Sequence, residues 1–335
     1  MTKGERTMTI KTALAGVAAI ALAACAANAQ DNAITTPEGA LMDSAEDIAY
    51  APGELTQAQL EASNADIVTG GGMNVFRRFP REITDDMVNF YVNALALRSL
   101  NPIQLTSTQQ MILTGVGSMQ IKLSAGQVGD RLYDLSGGVT GGTGIRYFRL
   151  TFPDAEAVQT RFAETGFDTP EFTEAADGTW VALTDDPGGF PIQIVIDPAA
   201  KDHSDDGVGV GIGVSDLAES RAFYREFVGL TELPPVEDAQ LGVTKYPYNF
   251  NETTIFLHQT PAGGGADNGS AGIQYVVTDA PLAAARGDHR DIGVQTPLNK
   301  LRGFDLITVW LSDPDGVTNY FAQVGPNSRT AQGQN

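Results

Sequence analysis

Carboxylates are plentiful in this sequence, but imidazole and thiol groups that could carry acid–base, nucleophilic or metal chemistry are few. There are three histidines, His203, His258 and His289, and a single cysteine, Cys25. His258 stands in TTIFLHQT, two residues beyond Phe256, so on a strand both project from the same face. An imidazole titrates near neutrality, which suits a general base. The plainer expectation is a strand-end histidine bonded to solvent or backbone. No Ser/His/Asp or Cys/His arrangement for covalent catalysis is visible.

A second feature is GVGVGIGV, residues 207–214, with glycine at every other position. Val208, Val210, Ile212 and Val214 make one apolar face of a strand, and Gly207, Gly209, Gly211 and Gly213 make a bare one. Each glycine inside a strand costs roughly 0.5–1 kcal/mol relative to alanine, so something should occupy the space above them. A dinucleotide fingerprint is excluded, because G-x-G-x-x-G would need its third glycine where Ile212 or Val214 stands. A third feature is the group Arg77, Arg78, Arg81, Lys122, Arg146 and Arg149, on or beside strand-like runs. Inward-facing members would suit a carboxylate or phosphate; cross-strand pairing with Asp and Glu is the equally good alternative.

The elements that position these groups repeat. FYVNALAL (90–97) returns as FYREFVGL (223–230), GFDTP (166–170) as GVQTP (293–297), and DPGG (186–189) as DPDG (313–316). The repeat length is about 130 residues, a tandem duplication. Each copy divides again into a strand, a helix and further strands, over 73–124, 144–197, 207–259 and 270–325. Thr84, with an Ile83/Val88 staple, Asp154 and Asp216, with Glu219 as a capping box, are the expected helix starts. Gly166 is an expected stop. A fourth helix is expected around 280–290, started by Pro281 and interrupted by Gly287.

This order of elements, with VSDLAESRAFYREFVGL and VWLSDPDGVTNYF as its best-matching stretches, resembles the vicinal oxygen chelate superfamily of glyoxalase I, bleomycin-resistance proteins and extradiol dioxygenases. The resemblance covers about 250 residues and is weaker in 73–198 than in 207–325. It implies an α+β fold of four βαβββ modules forming two tandem cup-shaped domains, 73–198 and 207–325. Each half would close into its own cup, with the Val/Ile face on helix 216–230 and the glycine face inward. Either a flat ligand lies on that bare floor, or bulky residues such as Tyr246, Tyr248, Phe256 and Tyr320 fill it.

Metal-dependent members of the superfamily carry His, Gln or Glu on the first and last strand of each module. The matching positions here are Phe76, Tyr147, Gly209 and Gly272, and Lys122, Gln193, Phe256 and Tyr320. Gln193 alone could ligate in that manner, and one neutral ligand does not hold Mn, Fe or Ni. No cofactor is therefore expected.

Lys3, Arg6 and Lys11 precede the apolar run Ala13–Ala24, an export-signal pattern over residues 1–29. It ends either at Ala27-Asn28-Ala29 or at Leu22-Ala23-Ala24-Cys25, where Cys25 would be lipidated. The expected location is periplasmic, or anchored to the outer membrane through that lipid alone. Residues 30–72 are expected as a flexible linker, 199–206 as an interdomain linker and 326–335 as a polar tail. Net charge is −20; residues 1–29 carry three basic residues and one acidic, so their removal leaves −22. Such a surface disfavours nucleic acid. The expected function is metal-free binding of a small organic molecule in the second cup, around Gly209, Gly211, Gly213, Phe256, Gln274 and Tyr320. Two readings stay open beside it. One is an exported lyase, isomerase or dioxygenase using His258 with Tyr320; the other is an envelope lipoprotein whose cups are filled by its own side chains.

Overall fold

The computed structural model describes residues 33–35, 41–104, 110–126, 131–175, 177–200, 207–251, 253–301 and 303–326. Residues 1–29 with Cys25, His203 and most of 326–335 lie outside them. The four βαβββ modules are present. Their opening strands are Val68–Phe79, Thr143–Phe152, Gly209–Val214 and Ala271–Val277, and their closing strands are Met119–Ala125, Pro191–Ile196, Thr253–Gln259 and Thr318–Val324.

Helices connect opening strands to the rest of each module. Asp154 and Asp216 cap theirs by accepting backbone N–H bonds, and Gly166 ends the second helix in the left-handed conformation. The fourth runs Ala280–His289 behind the Asp279 cap. Thr84 does not cap; a 3-10 turn, Arg81–Ile83, precedes the first helix, and the Thr84 hydroxyl donates back to the Arg81 carbonyl. Both Phe-Tyr segments widen into π turns, Asn89–Ala94 and Phe223–Val228. The wider turn buries two consecutive aromatics at once, Phe90 with Tyr91 and Phe223 with Tyr224.

The modules do not pair in chain order. One sheet joins the first and fourth through antiparallel pairing of their opening strands, with Gly272 opposite Phe76. The other joins the second and third in the same way, with Gly211 opposite Tyr147. The sequential pairing expected for 73–198 and 207–325 is therefore replaced by an interlocked one, in which each sheet takes one module from each copy of the duplication. One contiguous core, holding Val75, Phe148, Val210 and Ile273, spans all four modules. Strand alternation is local, whereas the choice of partner strand rests on contacts far apart in the chain, 196 residues for Gly272 with Phe76 and 64 for Gly211 with Tyr147.

The repeated motifs link the sheets. The Tyr91 hydroxyl donates to Asp186 at 3.1 Å, and the Tyr224 hydroxyl donates to Asp313 at 2.9 Å. Each aspartate also accepts backbone N–H bonds of its own Asp-Pro-x-Gly turn. Helix and turn belong to different sheets in both cases, so the Tyr–Asp bond crosses between them.

Residues 41–72 are packed rather than linking. Leu41–Ser44 pairs with Asn299–Leu301. The helix Gln57–Glu61, closed by a Thr56/Gln59 capping box, lies beside the fourth-module helix. Arg286, 1% exposed, donates to the Gln59 and Ser63 carbonyls and to the Asp66 carboxylate. Beside the apolar contacts of Ile67, Tyr50 and Leu55 with the core, docking here runs through polar groups, which leave no apolar periodicity in the sequence.

Aromatic side chains cover the bare glycines at each sheet junction. A Cβ on Gly272 would lie 2.0 Å from Phe76 Cζ, and one on Gly211 would lie 1.8 Å from Tyr147 Cε1. Gly272→Ala and Gly211→Ala should each cost about 1–3 kcal/mol by overpacking. Truncating the facing ring in the same chain, Phe76→Ala or Tyr147→Ala, should recover part of that loss. A denaturation double-mutant cycle reads the coupling, and additive losses would contradict the close approach.

Candidate functional site

Each sheet has a core face and a hollow face, and the register assigns them. In the first-and-fourth sheet, Val75, Ile121, Ile273 and Phe321 are in the core. Phe76, Lys122, Gln274, Trp310 and Tyr320 project from the opposite side. Among the described residues, side chains of this hollow pack on one another. Phe76 packs on Trp310 at 6.0 Å between ring centroids, and Trp310 on Tyr320 at 4.5 Å. The Arg78 guanidinium lies 4.3 Å from the Phe76 centroid. Lys122 donates to Gln274 Oε1 at 2.6 Å, which also accepts from Asn74 at 3.3 Å. Burial lowers the Lys122 pKa to about 8.

The hollow of the second-and-third sheet is open. A cavity of about 730 Å³ lies there, within the range of small-molecule sites. Arg149, Lys245, Asp238 and Phe256 line its floor, and Val181, Val195, Gln193 and Gln240 its walls. Glu174, Asp177 and Glu237 also line it and are exposed. The hairpin from Val236–Asp238 to Val243 brings Asp238, Gln240 and Lys245 in. At its tip Gln240 accepts from Gln193 Nε2 at 3.3 Å and donates to the Val181 carbonyl at 3.4 Å.

Charge in the floor is concentrated. Lys245 Nζ lies 2.5 Å from Asp238 Oδ2 and 5.1 Å from the centroids of both Tyr147 and Phe256. Burial lowers the Lys245 pKa against the opposing Asp238 bond, and the Arg149 charge adds to the lowering. Burial works to raise Asp238, but the Lys245 bond and charge outweigh it and hold the carboxyl below its usual range. The Arg149 guanidinium lies 5.5 Å from the Phe256 centroid. Its buried Nε and the buried Tyr147 hydroxyl have no hydrogen-bond partner among the described residues.

The residues singled out in the sequence distribute as follows. Phe256 lines the cavity, with Gly209 beneath the edge of its ring, 3.0 Å from where a Cβ would be. Gly211 lies under Tyr147, and Gly213 under the Gly142 carbonyl and Thr260, so neither is open to a ligand. Gln274 and Tyr320 stand in the other sheet, which separates them from His258 and removes the His258–Tyr320 pair. Tyr246 and Tyr248 pair with Leu257 and Ile255 and so face the helix side, not the hollow. Arg77 pairs with Asp186, Arg146 holds loop carbonyls, Arg81 is exposed, and Arg149 alone of the arginine group lines the cavity.

His258 shares the hollow face with Phe256 but is fully buried on an interior strand, not at a sheet edge. Neither ring nitrogen makes a well-formed hydrogen bond. Burial first, then the Lys245 charge, lower its pKa to about 4, with the Val139 backbone acting weakly the other way. A histidine so placed stays neutral at physiological pH.

Sequence reasoning missed Asp238, Gln240 and Lys245. One signal was available: only six lysines occur in the chain, and Lys245 stands mid-strand between Thr244 and Tyr246.

The donor set does not fit the divalent ion held by metal-dependent members of the superfamily that the sequence resembles. None of the eight matching positions carries a carboxylate or imidazole. Lys122 occupies one of them, and in the open hollow Lys245 already neutralises Asp238. Among the described residues no three His, Cys, Asp or Glu side chains gather as a metal site.

Four βαβββ modules in two mixed sheets define the vicinal oxygen chelate, or glyoxalase-like, fold. Among solved structures the chain is similar to glyoxalase I from Zea mays, with TM-score 0.59 and 16% identity over 75% of this chain and 92% of that one. It is also similar to a candidate dioxygenase from Bacillus subtilis, with TM-score 0.55 and 16% identity over 78% and 87%. No protein-family model matches the sequence, and no curated protein matches it. Likeness at this identity speaks for the fold alone.

Proposed function

We propose that this chain is an exported small-molecule binding protein whose ligand enters the hollow of the second and third modules and is held without a divalent metal. The observation that carries the reading is the cavity floor, where Arg149 and Lys245 stand and the neutral Gln193 is the one residue of ligating type among the matching positions. Two cations in a half-buried floor oppose a divalent ion and favour a polar organic guest. Export rests on the basic-then-apolar pattern of residues 1–29, with Cys25 as the lipid acceptor if the lipobox is used. Among the described residues no helix is long and apolar enough to cross a membrane.

The filled-cup reading applies to the other hollow, where Phe76, Trp310 and Tyr320 pack on one another. That sheet would then act as scaffold. Metal analysis of the purified chain should find Mn, Fe and Ni well below one per molecule. Its melting temperature should not respond to a chelator, and a ligand screen by thermal shift should give stabilisation that Val195→Trp, which fills the cavity, removes. Stoichiometric, tightly held metal would reject the reading.

A further inference from the structure

The open cavity specifies the charge of its guest. Arg149 is exceptional in a strongly acidic chain: its buried Nε has no partner, and no described carboxylate forms an ion pair with it. Asp177 feels its charge without pairing. The Asp238 carboxylate is engaged by Lys245, so two cations share one counter-charge, and Arg149 acts on Lys245 as a like charge. The Arg149 guanidinium lines the cavity, and an anion bound to it there would make a charge-assisted bond and relieve the repulsion.

The rest of the cavity sets the shape and the number of charges. The Phe256 ring lies over the bare Gly209, with Val181 and Val195 among the lining residues. Those surfaces suit a flat apolar ring, which aromatic side chains recognise by stacking. Glu174, Asp177 and Glu237 among the lining residues disfavour dianions such as phosphates. A single carboxylate matches the planar guanidinium fork.

We propose that the cavity takes an aromatic monocarboxylate, its carboxylate held by Arg149 and its ring laid against Phe256. This rests on the binding function proposed above and adds the ligand class to it.

The test uses naphthoate and its neutral isostere naphthamide, titrated calorimetrically into the full mature chain in chelator-treated buffer. Naphthoate should bind one per chain, and naphthamide at least about tenfold more weakly, as expected for loss of a charge-assisted bond. Arg149→Gln should weaken naphthoate by about 10–100-fold while leaving naphthamide nearly unchanged. Arg149→Lys, which keeps the charge but loses the fork, should fall between. Melting curves establish that each variant is folded. Equal binding of acid and amide, or naphthoate binding untouched by Arg149→Gln, overturns the acid preference. If Val195→Trp still abolishes both in that event, the hollow remains a ligand site and only the ligand class fails. If neither probe binds the wild-type chain, the ligand class is rejected, and a screen with no hit sensitive to Val195→Trp rejects the binding function as well.

Discussion

Asp186→Asn should destabilise the folded chain by about 3–5 kcal/mol, the usual consequence of stripping one partner from a buried ion pair. The same change at Asp313 should cost little and at pH 8 should be stabilising. The two aspartates are equivalent in the duplication, and each accepts a tyrosine hydroxyl and the N–H groups of its own turn. Their surroundings differ in one respect. Arg77 Nε donates to Asp186 at 2.8 Å with both side chains almost fully buried. Asp313 has no ion pair among the described residues. Burial pushes its pKa up to about 7 against the Val317 N–H bond, and the Asp315 charge adds to the rise.

The pH dependence follows from the sign of that shift. The folded state holds the Asp313 proton up to about 7, whereas an unfolded aspartate releases it near 3.8. Between those values the folded state binds more protons, so stability from this group is complete below about pH 4 and is lost as pH rises through 7. The full loss is of the order of 4 kcal/mol. Asparagine mimics the protonated acid, so Asp313→Asn should flatten the decline. Guanidinium unfolding at pH 5 and pH 8 for both variants measures the contrast. Similar responses at the two sites would contradict it.

Arg146→Met should cost about 3 kcal/mol and release the chain around residues 134–138. Arg146 is fully buried, and its guanidinium donates to the carbonyls of Asp134, Leu135, Ser136 and Gly138 at 2.6–3.0 Å. Methionine keeps the volume and leaves those carbonyls unpaired. The same stretch leads to Gly142, whose carbonyl covers Gly213 on the strand paired with that of His258. Losing the Arg146 charge and loosening this cover both favour the imidazolium. The His258 pKa should therefore move from about 4 toward its usual value. Hydrogen exchange at 134–142 and the histidine NMR titration read the two effects; a protected loop with His258 still neutral at pH 5 would refute the coupling.

How far these features are legible depends on the range of the interaction behind each. Asp154, Asp216 and Gly166 are visible because a cap acts within three residues. The glycine–valine alternation at 207–214 is visible because a strand has two faces, and Val210 and Ile212 are core residues in the folded chain. Thr84 misleads because capping also depends on the preceding turn, which here closes as a 3-10 helix. Arg286 gives no hint that it holds residues 59–66, since a polar contact leaves no hydrophobic period.

By itself, then, the sequence determined the duplication, the four βαβββ modules and the face parity of their opening and closing strands, and it carries no carboxylate or imidazole at the eight matching positions; all of these are local patterns. Tertiary structure alone decided that the first module pairs with the fourth and the second with the third. That choice put Tyr147 over Gly211 and Phe76 over Gly272, separated His258 from Tyr320, and brought Arg149 to Lys245. Strand pairing joins backbones that carry no label of their partner, so the side chains meeting across it are set only when the whole core packs.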